Sequence, residues 1–287
     1  MATIRDFQTD VKPNWCPGCG DFAVLSAIKQ AAVNLSIEPH ELAIITGIGC
    51  SGRLAGYIRS YGFHGAHGRA LPLAQGLKLA NRDLTVIAAG GDGDAFAIGL
   101  CHTIHAIRRN VDITYVIMDN QIYGLTKGQT SPRSGLGTIS KTTPSGCIEN
   151  AISPIQVALS SGATFIGQEL SSNVKDVVEL LEKAVSHKGF SLVNIFSPCV
   201  TYNRVNTLEW YKENLVKASD IEGYDHTNIQ SAMKNSMERD GLITGVLYQS
   251  DKKCYQSMAN NYPKTPLSKI DLMLSDAKLN ELASEFM

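Results

Sequence analysis

Five runs of strand length in the first two hundred residues are apolar with no alternation, and they restrict the fold more than any other feature. They are "LAIITGIGC" (42–50), "LTVIAAGGDGD" (84–94), "DITYVIMDN" (112–120), "ATFIGQ" (163–168) and "FSLVNIFSPC" (190–199). A strand with one wet face alternates apolar and polar residues; these do not, so both of their faces are covered. Residues 20–36, 95–109, 153–161 and 173–187 carry apolar residues at helical spacing. Strands alternating with helices predict an α/β fold, an open, doubly wound and mainly parallel sheet. The polar stretch 126–147 is too long for a simple connection and reads as a functional or mobile loop. After about residue 204 the chain becomes more polar, with one strand-like run, "GLITGVLYQ", and a final helix around "LSDAKLNELASEF". The expected organisation is an α/β domain over 1–204 and a C-terminal extension over 205–287 wrapped on it.

Charge excludes several classes. Net charge is −1 over 287 residues, and Lys and Arg are scattered. No footprint for nucleic acid or an anionic membrane results. The opening "MATIRDFQTD" has no apolar leader core and no later run reaches the length of a span, so the expected location is the cytoplasm. In that reducing compartment seven cysteines, an odd number, suggest metal or redox work before structural disulfides.

The ends of the runs carry the chemistry. The first stops at Cys50, the second enters "GGDGD", the third stops at "MDN" and the fifth at "SPC". Open parallel sheets bind ligands just beyond the carboxyl ends of their strands, so Cys50, Asp92, Asn120 and Cys199 are expected on one edge. Asp92 and Asn120 offer a hard cation one carboxylate and one amide oxygen, and Mg²⁺ takes further oxygens from a bound phosphate. The plain alternative is a pair of turn glycines with a capping Asp. The spacing resembles the diphosphate motif of thiamine-diphosphate enzymes, GDG followed by Asn about two dozen residues later. That resemblance implies Mg²⁺ held by Asp92, Asn120 and the carbonyl of Ile122.

The sulfurs form a second set. "NWCPGCG" places Cys16 and Cys19 two residues apart between bending Pro and Gly residues. With Cys50 and a fourth thiol they suit zinc or an iron–sulfur cluster, and spacing alone does not separate these. Position favours an electron carrier, because these thiols belong to the edge that carries the cofactor. Cys199 is preferred as the fourth because it ends a strand. Cys101 reads as a buried helical thiol, while Cys147 and Cys254 lie in polar segments.

Taken together, "WCPGCGDF", "GIGCSGR", "HGRALPLAQGLKLAN", "GGDGDAFAIG", "MDNQIYGLTKGQTSP", "KTTPSG" and "SPC" resemble the β subunit of the 2-oxoacid:ferredoxin oxidoreductases over nearly the whole chain, nearest the 2-oxoglutarate enzymes. The resemblance implies one [4Fe–4S] cluster on Cys16, Cys19, Cys50 and Cys199. It also implies thiamine diphosphate near Ser51, His67, Gly68, Gly91, Asp92, Gly93, Asp94, Asn120, Ile122, Gly124, Leu125 and Thr126. The implied reaction is reversible, coenzyme A-dependent oxidative decarboxylation of a 2-oxoacid, with electrons passed to ferredoxin. The second α/β domain that thiamine enzymes need has no strands left to build it, so an α subunit, or a fused γα chain, is the implied partner. His67 and Lys127 are the candidate catalytic side chains, Lys127 as a carboxylate contact; Arg53 reads as a solvated charge. Two other classes compete: an iron–sulfur electron carrier without catalysis, and a zinc-stabilised half of a non-redox thiamine decarboxylase or synthase. Pyruvate and other 2-oxoacids are the alternative substrates.

Overall fold

The computed structural model describes residues 1–260, 262–271 and 273–286. Among these residues ten strands form: β1 Leu42–Thr46, β2 Tyr61–His64, β3 Thr85–Gly91, β4 Thr114–Asp119, β5 Ile122–Tyr123, β6 Gln129–Thr130, β7 Phe165–Leu170, β8 Ser191–Phe196, β9 Val216–Lys217 and β10 Ile243–Gln249. Eight make one sheet in the order β2-β1-β3-β4-β8-β7-β10-β9, and β5 with β6 makes a separate ribbon. Within the large sheet, pairing is parallel throughout except between β10 and β7.

The apolar runs are continuous because successive residues feed two different cores. Ile44, Ile87, Ala89, Val116, Met118 and Val193 pack against helices α1 (Asp21–Asn34) and α7 (Val174–Ser186). Their neighbours Ala43, Ile45, Val86, Ala88, Tyr115 and Leu192 pack on the other face. There they meet α3 (Ala70–Ala80), α5 (Leu100–Arg109) and α6 (Pro154–Ser160). Two-residue alternation between two apolar layers is how a strand becomes hydrophobic at every position.

The expected elements differ from the observed ones in instructive ways. β1 ends at Thr46, and Cys50 sits beyond it in the one-turn helix α2 (Gly49–Gly52). β3 ends at Gly91, and a helix α4 (Asp92–Phe96) begins at once, so the expected helix 95–109 is two helices broken around Ala97–Gly99. β2 has no counterpart in the sequence reading: its four residues are all exposed on the sheet edge, and "YGFHGAHG" reads as a glycine-rich loop. The C-terminal extension supplies β9 and β10 to the main sheet, and carries α8 (Leu208–Asn214), α9 (Ile229–Glu238), α10 (Tyr255–Met258) and α11 (Asp276–Ser284). No helix among the described residues is long and apolar enough to cross a membrane.

A buried polar group ties the long loop to the sheet. Asp119, at the end of β4, is fully buried and accepts from Arg133 Nε at 2.9 Å and Asn194 Nδ2 at 3.3 Å. Arg133 also donates to the Ile152 carbonyl at 2.8 Å, so one guanidinium pins both ends of the segment around 133–152. Removing one partner of a buried pair leaves an uncompensated charge, which costs more than the pair contributes. Arg133→Leu should therefore lower the unfolding free energy in a urea titration by about 3–5 kcal/mol. A loss under about 1 kcal/mol, as for an exposed pair, would contradict this account.

Candidate active site

A cleft of about 610 Å³ opens at the carboxyl edge of the sheet, where β1, β3 and β4 end. Register makes it. Gly91 of β3 pairs with Met118 of β4, so Asp92 and Asn120, just beyond each strand, meet. The Asn120 N–H points at Asp92 Oδ1 at 3.4 Å, and Asn120 Oδ1 accepts the Ile122 N–H at 3.1 Å. Ser131 from the long loop donates to Asp92 Oδ2 at 2.5 Å. Asp92 is 1% exposed. Burial, with the nearby Asp119 carboxylate adding to it, pushes its carboxyl up to about 7. A carboxylate held this deep is stabilised by a cation at the same place.

Glycines leave the backbone bare around these acids. A Cβ on Gly93 would run into the Tyr123 ring, and one on Gly47 would run into the Asp94 carboxylate. Asp94 is nearly fully buried. Its Oδ1 accepts the Gly68 N–H at 2.8 Å and the Ile48 N–H at 3.2 Å, and lies 2.8 Å from Nδ1 of His67. One carboxylate thus gathers the loops after β1 and β2 onto the turn after β3.

The N-terminal segment crosses the same edge. Trp15 Nε1 donates to the Cys50 carbonyl at 2.8 Å, and the ring packs edge-on against Phe22 and Tyr57. Cys19 and Cys50 are partly buried, and Thr201 Oγ1 lies 3.2 Å from Cys16 Sγ. A Cβ on Gly124 would lie 3.6 Å from Cys199 Sγ, 3.8 Å from Cys50 Sγ and 3.9 Å from the Asn120 amide. Burial, then the neighbouring Asp21, then the other thiols push Cys50 up to about 11; burial and Asp21 push Cys19 higher still. Asp21 itself is raised to about 7 by burial. Such thiols need a positive centre before they ionise. Among the described residues no three His, Cys, Asp or Glu side chains lie close enough to chelate one ion.

Every residue expected near the cofactor lines the cleft except Gly68, which reaches it through the Asp94 hydrogen bond. Lys127, in the covering loop with φ +77°, is not on the cleft wall. Arg53, expected as a solvated charge, is on it, with a guanidinium nitrogen 2.5 Å from Asn14 Oδ1. His64 also lines it; the unrecognised strand β2 concealed it. Cys101, expected in the core, is exposed on the outer side of α5, opposite the buried Thr103, Ala106 and Ile107. Cys147, expected in a polar segment, is buried because the loop folds on itself, with Cys147 N–H to Thr138 O at 2.9 Å and Gly137 N–H to Cys147 O at 2.7 Å. Ser131 and Tyr123 were singled out by nothing beyond lying within the quoted stretch "MDNQIYGLTKGQTSP".

A mainly parallel sheet with this edge defines a thiamine pyrophosphate-binding enzyme domain. The family model of the C-terminal TPP-binding domain of thiamine pyrophosphate enzymes matches residues 47–195, and that of the C-terminal part of the pyruvate ferredoxin oxidoreductase β subunit matches 199–264. The 2-oxoacid:ferredoxin oxidoreductase β subunit of a Sulfolobus species is 41% identical over 250 residues, 83% of this chain and 82% of that protein. The 2-oxoglutarate oxidoreductase subunit KorB of Mycobacterium tuberculosis is 44% identical over 199 residues, 69% of this chain and 53% of that one. The 2-oxoglutarate:ferredoxin oxidoreductase of Magnetococcus marinus, solved with 2-oxoglutarate, coenzyme A and succinyl-CoA bound, superposes with a TM-score of 0.88 at 38% identity. That match covers 98% of this chain and 96% of the other. The chain belongs to the β subunits of the 2-oxoacid:ferredoxin oxidoreductases, a family of oxidoreductases.

The cleft depends on the missing Cβ of Gly47. Gly47→Ala should displace Asp94 and lower thiamine diphosphate affinity by at least about tenfold, as small misplacements in a site do. Calorimetry on a folded variant giving unchanged affinity would show that Asp94 has room to move.

Proposed function

We propose that this chain holds the diphosphate end of thiamine diphosphate and the electron-accepting cluster of a heteromeric 2-oxoacid:ferredoxin oxidoreductase. Mg²⁺ would be held by Asp92, Asn120 and the Ile122 carbonyl. One [4Fe–4S] cluster would be held by Cys16, Cys19, Cys50 and Cys199. The single observation that carries the reading is at Gly124. Its bare Cα faces two of the four sulfurs and the Asn120 amide together, so the thiol set and the cation set share one wall. A structural zinc has no reason to share it, whereas a one-electron acceptor beside a thiamine cofactor has one.

When bound, thiamine diphosphate supplies the electron sink for loss of CO₂ from a 2-oxoacid. The chain's residues do the holding. Asp92 and Asn120 offer oxygens to the cation, while Gly91 and Gly93 let the phosphates approach the backbone. Trp15 anchors the Cys16–Cys19 segment across the edge. Arg53 puts positive charge on the cleft wall, with the His64 ring beside the same cleft, which suits the second carboxylate of 2-oxoglutarate better than the methyl of pyruvate. Relatives named for 2-oxoglutarate support the same choice. Lys127 is proposed as a carboxylate contact from the loop beside the cleft, although its side chain does not line the wall.

A β subunit implies an α partner, and we infer that the α or fused γα chain brings the aminopyrimidine half of the site. Coenzyme A and ferredoxin are the proposed acyl and electron acceptors. The domain reading is 1–204 for cofactor and cluster, with 205–287 extending the sheet and reaching the partner. Cytoplasmic location fits the reduced thiols the cluster requires.

Two substitutions separate the two sets. Asp92→Ala should abolish Mg²⁺-dependent thiamine diphosphate binding in calorimetry and leave the cluster spectrum intact, since a hard ligand goes and no thiolate does. Undiminished cofactor affinity would remove Asp92 from the site. Cys199→Ser, prepared anaerobically, should lose iron or show a three-iron EPR signal. Serine at Cys101, Cys147 or Cys254 should leave four irons and a normal reduced signal. Stoichiometric zinc in a colourless wild-type preparation would favour the non-redox reading instead.

A further inference from the structure

The diphosphate motif uses Asp92 and leaves the second acid of "GGDGDAF", Asp94, without a task. Its surroundings supply one. Asp94 is 4% exposed, and all its hydrogen bonds converge on Oδ1: Gly68 N–H at 2.8 Å, Ile48 N–H at 3.2 Å, and His67 Nδ1 at 2.8 Å. Oδ2 is buried with no partner. Two backbone donors are all that holding a loop requires. The third partner is a side chain on the cleft wall, one third exposed, and it is the imidazole ring that meets Asp94 among the described residues. With Nδ1 committed to Asp94, Nε2 is the nitrogen left for the cleft.

We infer that Asp94 is the positioning residue of an Asp–His dyad. It keeps a proton on His67 Nδ1, presents the Nε2 lone pair to the cleft, and balances the imidazolium formed when Nε2 takes the S–H proton of coenzyme A, the thiol acyl acceptor proposed above. The S–H bond breaks and leaves the thiolate, the N–H bond forms at Nε2, and the proton then passes to solvent; Nδ1–H stays in place throughout. The inference rests on the cleft being the thiamine diphosphate site proposed above. The other groups facing His67 do not duplicate the role. Tyr123 presents its ring 6.2 Å away, edge to face, and burial holds its phenol neutral. Asp92 and Asp21 across the cleft are raised toward the neutral form. Arg53 is engaged with Asn14, and His64 stands on β2 with no hydrogen bond to Asp94 among the described residues.

Asp94→Asn separates this role from a structural one, because the amide keeps an Oδ1 acceptor for all three donors while removing the charge and placing an NH2 where the partnerless Oδ2 stood. The reconstituted complex with its α partner, free of cofactor, is treated with diethylpyrocarbonate across a pH series, and the His67 adduct is counted by peptide mass spectrometry. The reagent takes only the unprotonated nitrogen. Without the counter-charge, adduct formation at His67 should begin at lower pH in the variant than in the wild type. In the loaded enzyme kcat should fall by about 10²–10⁴-fold, and the acid limb of its pH profile should shift the same way. KM and cofactor affinity should stay within about threefold. An unshifted onset with kcat retained would show that Asp94 only holds the loop. Loss of cofactor affinity in step with kcat would make His67 a diphosphate contact; either result overturns the dyad. A shifted onset in a complex that takes up no thiamine diphosphate would sink the reading of the cleft and leave the dyad standing. If Asp94→Asn does not assemble, His67→Ala should lose the same factor in kcat and recover part of it with added imidazole; full turnover without imidazole overturns the proposal.

Discussion

The pairing of Gly91 with Met118 in the β3–β4 ladder is the constraint on which the site depends. It fixes how far each strand runs before its loop begins, and so brings Asp92 beside Asn120. A slip of one residue would turn every strand side chain to the other core. Because both cores are apolar, such a slip is opposed less by burial than by buried polar groups in the strands and at their ends. Asp119, Arg133, Asn194 and Gln168 form a connected set there. Asn194 donates to Asp119 Oδ2 and, at 2.9 Å, to Gln168 Oε1, while Gln168 donates to the carbonyls of Gly241 and Ile243. These side chains find partners in one register only, and the C-terminal strand β10 is locked into the same arrangement.

The strand ends gather acids that an isolated chain does not bury without cost. Asp21, Asp92 and Asp94 stand within one cleft, each nearly fully buried. Asp94 contacts His67, while Asp21 and Asp92 form no ion pair among the described residues and are pushed toward the neutral form by burial. Placing like charges in low dielectric makes sense at a site built to receive positive centres. The same logic covers the thiols of Cys19 and Cys50, whose shifts arise from burial and from each other's surroundings. On the proposed reading, the cation and the cluster would ionise the acids and thiols that hold them.

Much of this was legible in the sequence. Continuous apolar runs announced strands covered on both faces, and GDG with a distant Asn announced which ends would meet. Strand-end reasoning placed both thiols just past strands and not on them: β8 stops at Phe196, three residues before Cys199, and β1 stops four residues before Cys50, which a one-turn helix carries. What stayed hidden was short or tertiary. β2 is an exposed four-residue edge with no buried pattern to read, and its absence concealed His64. The Asp94–His67 contact joins residues 27 apart through a loop conformation that composition does not encode. Arg53 looked solvated because its anchor, Asn14, belongs to a segment whose path over the sheet edge depends on Trp15.

The central claim is that the cation set and the sulfur set share one wall. Anomalous diffraction at the iron edge, on anaerobic crystals of the complex soaked with Mn²⁺ in place of Mg²⁺ and measured also at the manganese edge, tests it directly. Four iron peaks enclosed by Cys16, Cys19, Cys50 and Cys199, with one manganese peak against Asp92 and Asn120 on the near side of Gly124, is the predicted result. Iron bound elsewhere, or a single zinc peak among the thiols, would contradict it.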